Sequence, residues 1–396
     1  MQARRARTAT VFAVTYLAYA CIYIARLNLS IAAPALTASG LMNEAQIGLL
    51  GSIFSVVFAI GRLLNGVLND KLAPWIMLCS GLAAVGCANL MSGVFLSFAA
   101  MAVLWGVNAY AQSMMWGSVL RTVTAVYPAE KAGKRTAAMV SSVAVGNLLG
   151  ILLNTWVIDV TGRLEMAFIL PGGLSLLMCP IAFAVLRHIP FEGAKERRSV
   201  LPWYLLKDKS VRRMLVPAFC HGVMKDNISL WMAAFFVTSF GIDLKNSSWF
   251  LLFIPALGLV GRVGYSAVYR LCGEDQNKVS TVGFILCTLF AAVLCLPFQH
   301  PVLAMLCLGV LYAAVSLINT SVLSIYPLSF ASSGLVATVS GFMDFGVYLA
   351  AGIGSAVYGA VIAHVGYGAM FASWVALSLL SIFFLSLKKK QIKKDG

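Results

Sequence analysis

The chain has 396 residues, 60% of them hydrophobic and only 11% charged, with a formal net charge of +15. Soluble domains carry about a quarter charged residues, so this composition excludes a water-soluble globular protein. Nor does the basic excess point to nucleic acid, because the charges gather in short segments between long apolar runs, as membrane topology requires.

The first run, near 9–36, is long enough to cross a bilayer, which takes ~20 apolar residues. It is too long for a cleavable signal peptide and has no small-residue cleavage site. Arg26 sits inside it. A cation at the bilayer centre costs roughly 2.5–3.5 kcal/mol on insertion scales, so Arg26 is expected to face a protein interior or a watery cavity. An arginine snorkelling to an interface is the alternative. Tyr16, Tyr19 and Tyr23 precede it at helical spacing, so one face reads Tyr-Tyr-Tyr-Arg.

Eleven further runs follow, near 46–69, 74–94, 97–126, 137–159, 165–187, 211–240, 247–271, 279–297, 301–326, 334–362 and 367–387. The fold class is therefore an all-α membrane protein of twelve transmembrane helices in two six-helix halves, 1–187 and 211–396. The polar linker 188–210 joins them, and its Trp203 and Tyr204 suggest a short interfacial helix. Lys and Arg fall at the N-terminus, Lys71, 131–135, the linker, Lys278 and the C-terminal tail. The opposite loops hold only Arg163 and Lys245. Both termini are expected in the cytoplasm.

Polar residues inside these runs mark the site. Run 2 carries Arg62 and ends in Asp70-Lys71-Leu-Ala-Pro74. Asp70 can latch the cytoplasmic side with Arg121 of run 4 as a gating partner; a plain polar loop is the alternative. Asn108, Gln112 and Trp116 form a stripe at four-residue spacing in run 4. Run 5 offers Asn147 and Asn154 on one face, lining the cavity or merely joining helices. Run 7 holds His221, Lys225 and Ser229 on one face, with Asp226 beside them. Lys225 matches the place of Arg26 in the other half, and two converging cations ask for an anionic ligand. The alternative is that Asp226 or Asp344 neutralises Lys225. His221 is a titrating candidate or a packing residue. Run 10 carries Tyr312, and run 11 carries Asp344 and Tyr348 one turn apart. An acid there is a candidate proton carrier or the counter-ion of Lys225.

No Gly-rich nucleotide loop, nucleophile–base set or metal-ligand spacing is present, so an enzyme, a cofactor and a metal are not expected. The nine cysteines lie mostly in apolar runs as packing residues.

Several motifs carry a family resemblance. Tyr23-Ile-Ala-Arg26-Leu-Asn28, Arg62 eight residues before Asp70, and Gln112-Ser-Met-Met-Trp116-Gly-Ser-Val-Leu-Arg121-Thr122 stand in the N-terminal half. Lys225 with Trp231, Ser247-Ser248-Trp249 and Gly341-Phe342 with Tyr348-Leu349 stand in the C-terminal half. Together they resemble the organophosphate:phosphate antiporters, the glycerol-3-phosphate and hexose-phosphate transporter type of the major facilitator superfamily. The start of the chain also looks like the related anion:cation symporters.

The resemblance implies a monomeric secondary transporter in the inner or plasma membrane. Its halves would be related by a pseudo-twofold axis, with the site at their interface. It would move a small organic anion by antiport against phosphate or symport with a proton. Arg26, Lys225 and Arg62 would bind the anion. Tyr19, Tyr23, Gln112, Trp116, Asn147, Tyr312 and Tyr348 would line the cavity, and Asp344, Asp226 and His221 would serve coupling. Lys225 in place of the family's Arg, Asn147 in place of a His, and the extra Asp344 widen the expected cargo from phosphate esters to carboxylates. A transporter-like membrane receptor for an organic anion is the alternative function.

Overall fold

The computed structural model describes residues 2–189, 202–242, 244–296, 300–333 and 336–387. The side chains of Asp70, Lys71 and residues 244–251 lie outside the described set, and with them the expected latch at Asp70 and the Ser247-Ser248-Trp249 match.

Seven helices precede residue 190: α1 (Gln2–Ala38), α2 (Glu44–Lys71), α3 (Pro74–Val94), α4 (Phe98–Ser113), α5 (Met115–Val126), α6 (Ala129–Thr161) and α7 (Met166–Leu186). Six follow the linker: α8 (Lys209–Phe240), α9 (Leu244–Leu271), α10 (Gln276–Leu294), α11 (Pro301–Asn319), α12 (Val336–His364) and α13 (Tyr367–Ser386). Among the described residues there is no strand, and ten helices are long and apolar enough to span a membrane. The 32-residue, more charged α8, and α4 taken with α5, complete the twelve expected segments.

Local chemistry sets the helix ends. Asn43 and Gln46 close a capping box at the start of α2. The Asp208 carboxylate accepts from the amides of Ser210 and Val211 at the start of α8. Gly162 and Gly241 end α6 and α8 with φ of 63° and 62°, a conformation that costs other residues a Cβ clash. Residues 202–207 form a short 3-10 helix where a short interfacial helix is expected, with Trp203 packed edge-on against Phe342 at 5.9 Å.

The run 97–126 is not one helix. It breaks at Met114, whose amide bonds back three residues to Ala111 at 3.2 Å. The Tyr110 carbonyl, which that amide passes over, accepts from Ser113 Oγ at 2.6 Å, and the Met114 carbonyl accepts from Asn69 Nδ2 of α2 at 3.1 Å. A polar side chain bonded into the helical ladder accompanies such breaks.

Small residues let the helices approach closely, as apolar surroundings require. A Cβ on Gly150 of α6 would stand 3.1 Å from Ile24 Cα of α1, and one on Gly258 of α9 would stand 2.7 Å from the Tyr312 ring of α11. These contacts pack α6 against α1 and α9 against α11.

Candidate functional site

Arg26 lies deep in the membrane-length segment of α1 and faces inward. Its guanidinium stands over Phe54 at 4.8 Å, Phe58 at 5.0 Å, Tyr348 at 5.5 Å and Tyr23 at 5.7 Å from the ring centroids. Among the described residues it forms no ion pair. Ring faces attract a desolvated cation by about 2 kcal/mol or more, which holds the charge without neutralising it. Tyr19 packs beside this box, 5.3 Å from Tyr23 and 5.2 Å from Trp116. Tyr16 leaves the face and instead meets Ser141 at 2.9 Å.

On α8 the charge is treated differently. Lys225 Nζ lies 3.4 Å from Asp226 Oδ1 and 4.7 Å from the Tyr348 ring centroid. Asp344 is not the counter-ion of Lys225. It accepts from Arg62 Nη2 at 2.9 Å and Nε at 3.2 Å, joining α12 to α2. The reason is geometric: α2 and α12 run against each other, and the fork of Arg62 reaches one carboxylate oxygen with two donors.

These groups share one cavity of about 640 Å³. Its lining includes the expected Arg26, Arg62, Lys225, Tyr19, Tyr23, Trp116, Asn147, Tyr312 and Tyr348, together with Asp226 and Asp344. Gln112, expected in the lining, does not reach it, nor do His221 and Arg121, expected for coupling and gating. Gln112 is buried and donates to Asn108 at 3.1 Å, in an amide chain continuing through Asn89 to Asn28. Trp116 faces the cavity, while Asn108 and Gln112 tie helices together. His221 is buried, with Nε2 3.1 Å from the Asn319 side-chain oxygen, and touches the cavity only through that amide. Arg121 is half-buried and likewise away from the lining.

The lining also contains Arg262 of α9, which the motif reading passed over. The signal was present: a cation inside the run 247–271 poses the same cost as Arg26. Attention to the first helix of each half hid it. Among the described residues, four cations and two carboxylates thus face the cavity, a surplus of two positive charges.

One end of the cavity is closed. Ser30 Oγ of α1 donates to the Ser229 and Leu230 carbonyls of α8 at 2.5 Å and 3.0 Å. Beside it, a Cβ on Gly48 of α2 would stand 2.7 Å from Gly359 Cα of α12. Toward the other end the lining reaches the exposed Val140 and Ser324.

The model of the Major Facilitator Superfamily matches residues 15–354. The chain is 24% identical over 362 residues to a probable hexose phosphate transport protein of Chlamydia muridarum, covering 87% of this chain and 77% of that protein. It is also 24% identical to the probable sulfoacetate transporter SauU of Cupriavidus necator, over 90% of this chain and 87% of the other. Among solved structures, the nucleoside transporter NupG shares the fold, with a TM-score of 0.75 at 15% identity. That likeness covers 96% of this chain and 97% of NupG.

Proposed function

This chain belongs to the major facilitator superfamily, and on that premise we propose that it carries a small organic anion across the cell membrane by alternating access. The observation that carries this proposal is the surplus of two positive charges in a cavity closed at one end. Fixed cations there attract a ligand of opposite sign more strongly than they would in bulk water. Two relatives are named for hexose phosphate and sulfoacetate, both organic anions.

Arg26 is the principal anion ligand, because it forms no ion pair among the described residues. Lys225 and Arg62 contribute when the ligand competes with Asp226 and Asp344 for them. Tyr19, Tyr23, Trp116, Asn147, Tyr312 and Tyr348 shape the cavity. The halves 1–187 and 211–396 rock about it, and with both termini cytoplasmic the mouth near Val140 and Ser324 faces the cytoplasm.

Asp344 holds α2 to α12 and releases Arg62 when protonated, a route by which a proton drives transport. Flux into proteoliposomes tests the whole proposal, with labelled hexose 6-phosphate and sulfoacetate as probes. Saturable uptake of an anion supports it, and uptake confined to neutral or cationic solutes would sink it. Asp344→Asn should abolish uphill uptake but keep counterflow. Loss of both would make the Arg62–Asp344 pair structural, and uphill uptake that survives would remove Asp344 from coupling.

A further inference from the structure

We infer that Arg262, with Asn147 and Tyr312, forms a second oxyanion subsite in the cavity, and that the cargo is an organic dianion with an acidic group toward each end. The inference rests on the anion transport proposed above and narrows its substrate class.

The pairing of charges leads there. Arg62 has Asp344 at 2.9 Å, and Lys225 has Asp226 at 3.4 Å. The remaining cations of the lining, Arg26 and Arg262, form no ion pair among the described residues. They stand on different walls. The Arg26 box is built by α1, α2 and α12. Arg262 belongs to α9 and lines the main cavity with Asn147 of α6 and Tyr312 of α11; the recess among these three side chains is only about 10 Å³, so an oxyanion meets them from the main cavity.

That recess is a built feature. Gly258, one turn before Arg262, admits the Tyr312 ring so closely that a Cβ there would stand 2.7 Å from it. The Nε of Arg262 is buried and has no hydrogen-bond partner among the described residues. A buried charged donor left unpaired is costly, so the position suits a ligand that brings its own acceptor. Arginine offers a planar fork that matches carboxylate, sulfonate and phosphate oxygens. The Asn147 amide adds neutral donors, and the Tyr312 hydroxyl, 3.4 Å from Ser229 Oγ, can turn to donate.

A monoanion seated at Arg26 would leave the charge of Arg262 uncompensated. A dianion long enough to touch both walls neutralises both, and about 640 Å³ is room for one small metabolite-sized molecule. The second acidic group should strengthen binding roughly ten- to a hundredfold, the range of a charge-assisted contact.

The test is calorimetric titration of the purified full chain with matched pairs that differ by one acidic group. Suitable pairs are succinate against succinamate, adipate against its monoamide, and 3-phosphoglycerate against glycerol 3-phosphate. At least one pair should show the roughly ten- to hundredfold preference. Arg262→Gln should bring that ratio close to one, while Arg262→Lys should keep part of it. Equal binding within every pair, with Arg26→Gln weakening both members, would overturn the second subsite and leave anion transport standing. A preference that Arg262→Gln does not change would also overturn it, since the second group would then be read elsewhere. No binding by any probe would remove the anion proposal and this one with it. Should Arg262→Gln fail to fold, the wild-type ratios and Arg262→Lys decide.

Discussion

On α1, Arg26 is surrounded by the rings of Tyr23, Phe54, Phe58 and Tyr348; on α8, Lys225 stands 3.4 Å from the carboxylate of Asp226. Each is an intramembrane cation in the first helix of its half. A guanidinium is planar and weakly hydrated, so ring faces can hold it while its donor edge stays available. An ammonium is a compact, strongly hydrated charge, and taking it from water calls for an opposite charge nearby. The comparison teaches that equal placement in sequence does not mean equal availability to a ligand. Arg26 offers its charge directly, whereas a ligand reaches Lys225 only in competition with Asp226.

The largest expected effect is that of Arg26→Gln. It removes a charge-assisted contact worth roughly 1.5–3 kcal/mol, or about one to two decades in the Kd for an anionic substrate measured by calorimetry. Lys225→Gln should cost less, under about tenfold, because Asp226 already holds the ammonium that a ligand would have to win. Equal losses in the two variants would break the comparison and show that Asp226 does not occupy Lys225 during binding. The double variant should lose less than the sum of the two, since both cations act through one ligand.

Asp226→Asn sharpens the contrast in the opposite direction. It frees Lys225, so anion affinity should rise by about threefold to tenfold, an electrostatic gain that fades with added salt in the open cavity. An unchanged affinity would mean that the lysine does not reach the bound anion. Lys225→Arg should shift preference toward phosphate esters over carboxylates, because the fork engages two oxygens at once.

The smallest effect is expected at Ser30, about one turn beyond Arg26 on α1 and bonded to the Ser229 carbonyl of α8. Ser30→Ala loses about 0.5–1.5 kcal/mol from the closed end. Labelling of a cysteine placed at Val140 reports how open the opposite mouth is, and the substitution should change it by less than about tenfold. Ligand affinity should move by less than about threefold, which separates joining the halves from binding the anion. A loss as large as that of Arg26→Gln would place Ser30 among the ligand contacts.

Much of the molecule was legible along the chain because a bilayer penalises charge so heavily. Twelve apolar runs, and the cations Arg26, Arg62 and Lys225 within them, stand out without any knowledge of contacts. Gln112 misled because four-residue spacing is a reliable guide to a common face only along an unbroken helix. The ladder is interrupted at Met114, whose amide bonds back three residues to Ala111. Arg262 was as visible as Arg26 and was passed over for want of a motif around it.

By itself the sequence determined which segments cross the membrane and which side chains must avoid lipid, since length and hydropathy are properties of each segment alone. Only the tertiary structure decided which charge meets which. Arg62 and Asp344 are 282 residues apart yet bonded, and Lys225 keeps its neighbour in sequence. Arg26 keeps four rings drawn from three helices. Those outcomes depend on the mutual rotation and depth of helices packed through glycine contacts. A shift of one residue turns a helical side chain by about 100°, so no pattern within a single run can fix them.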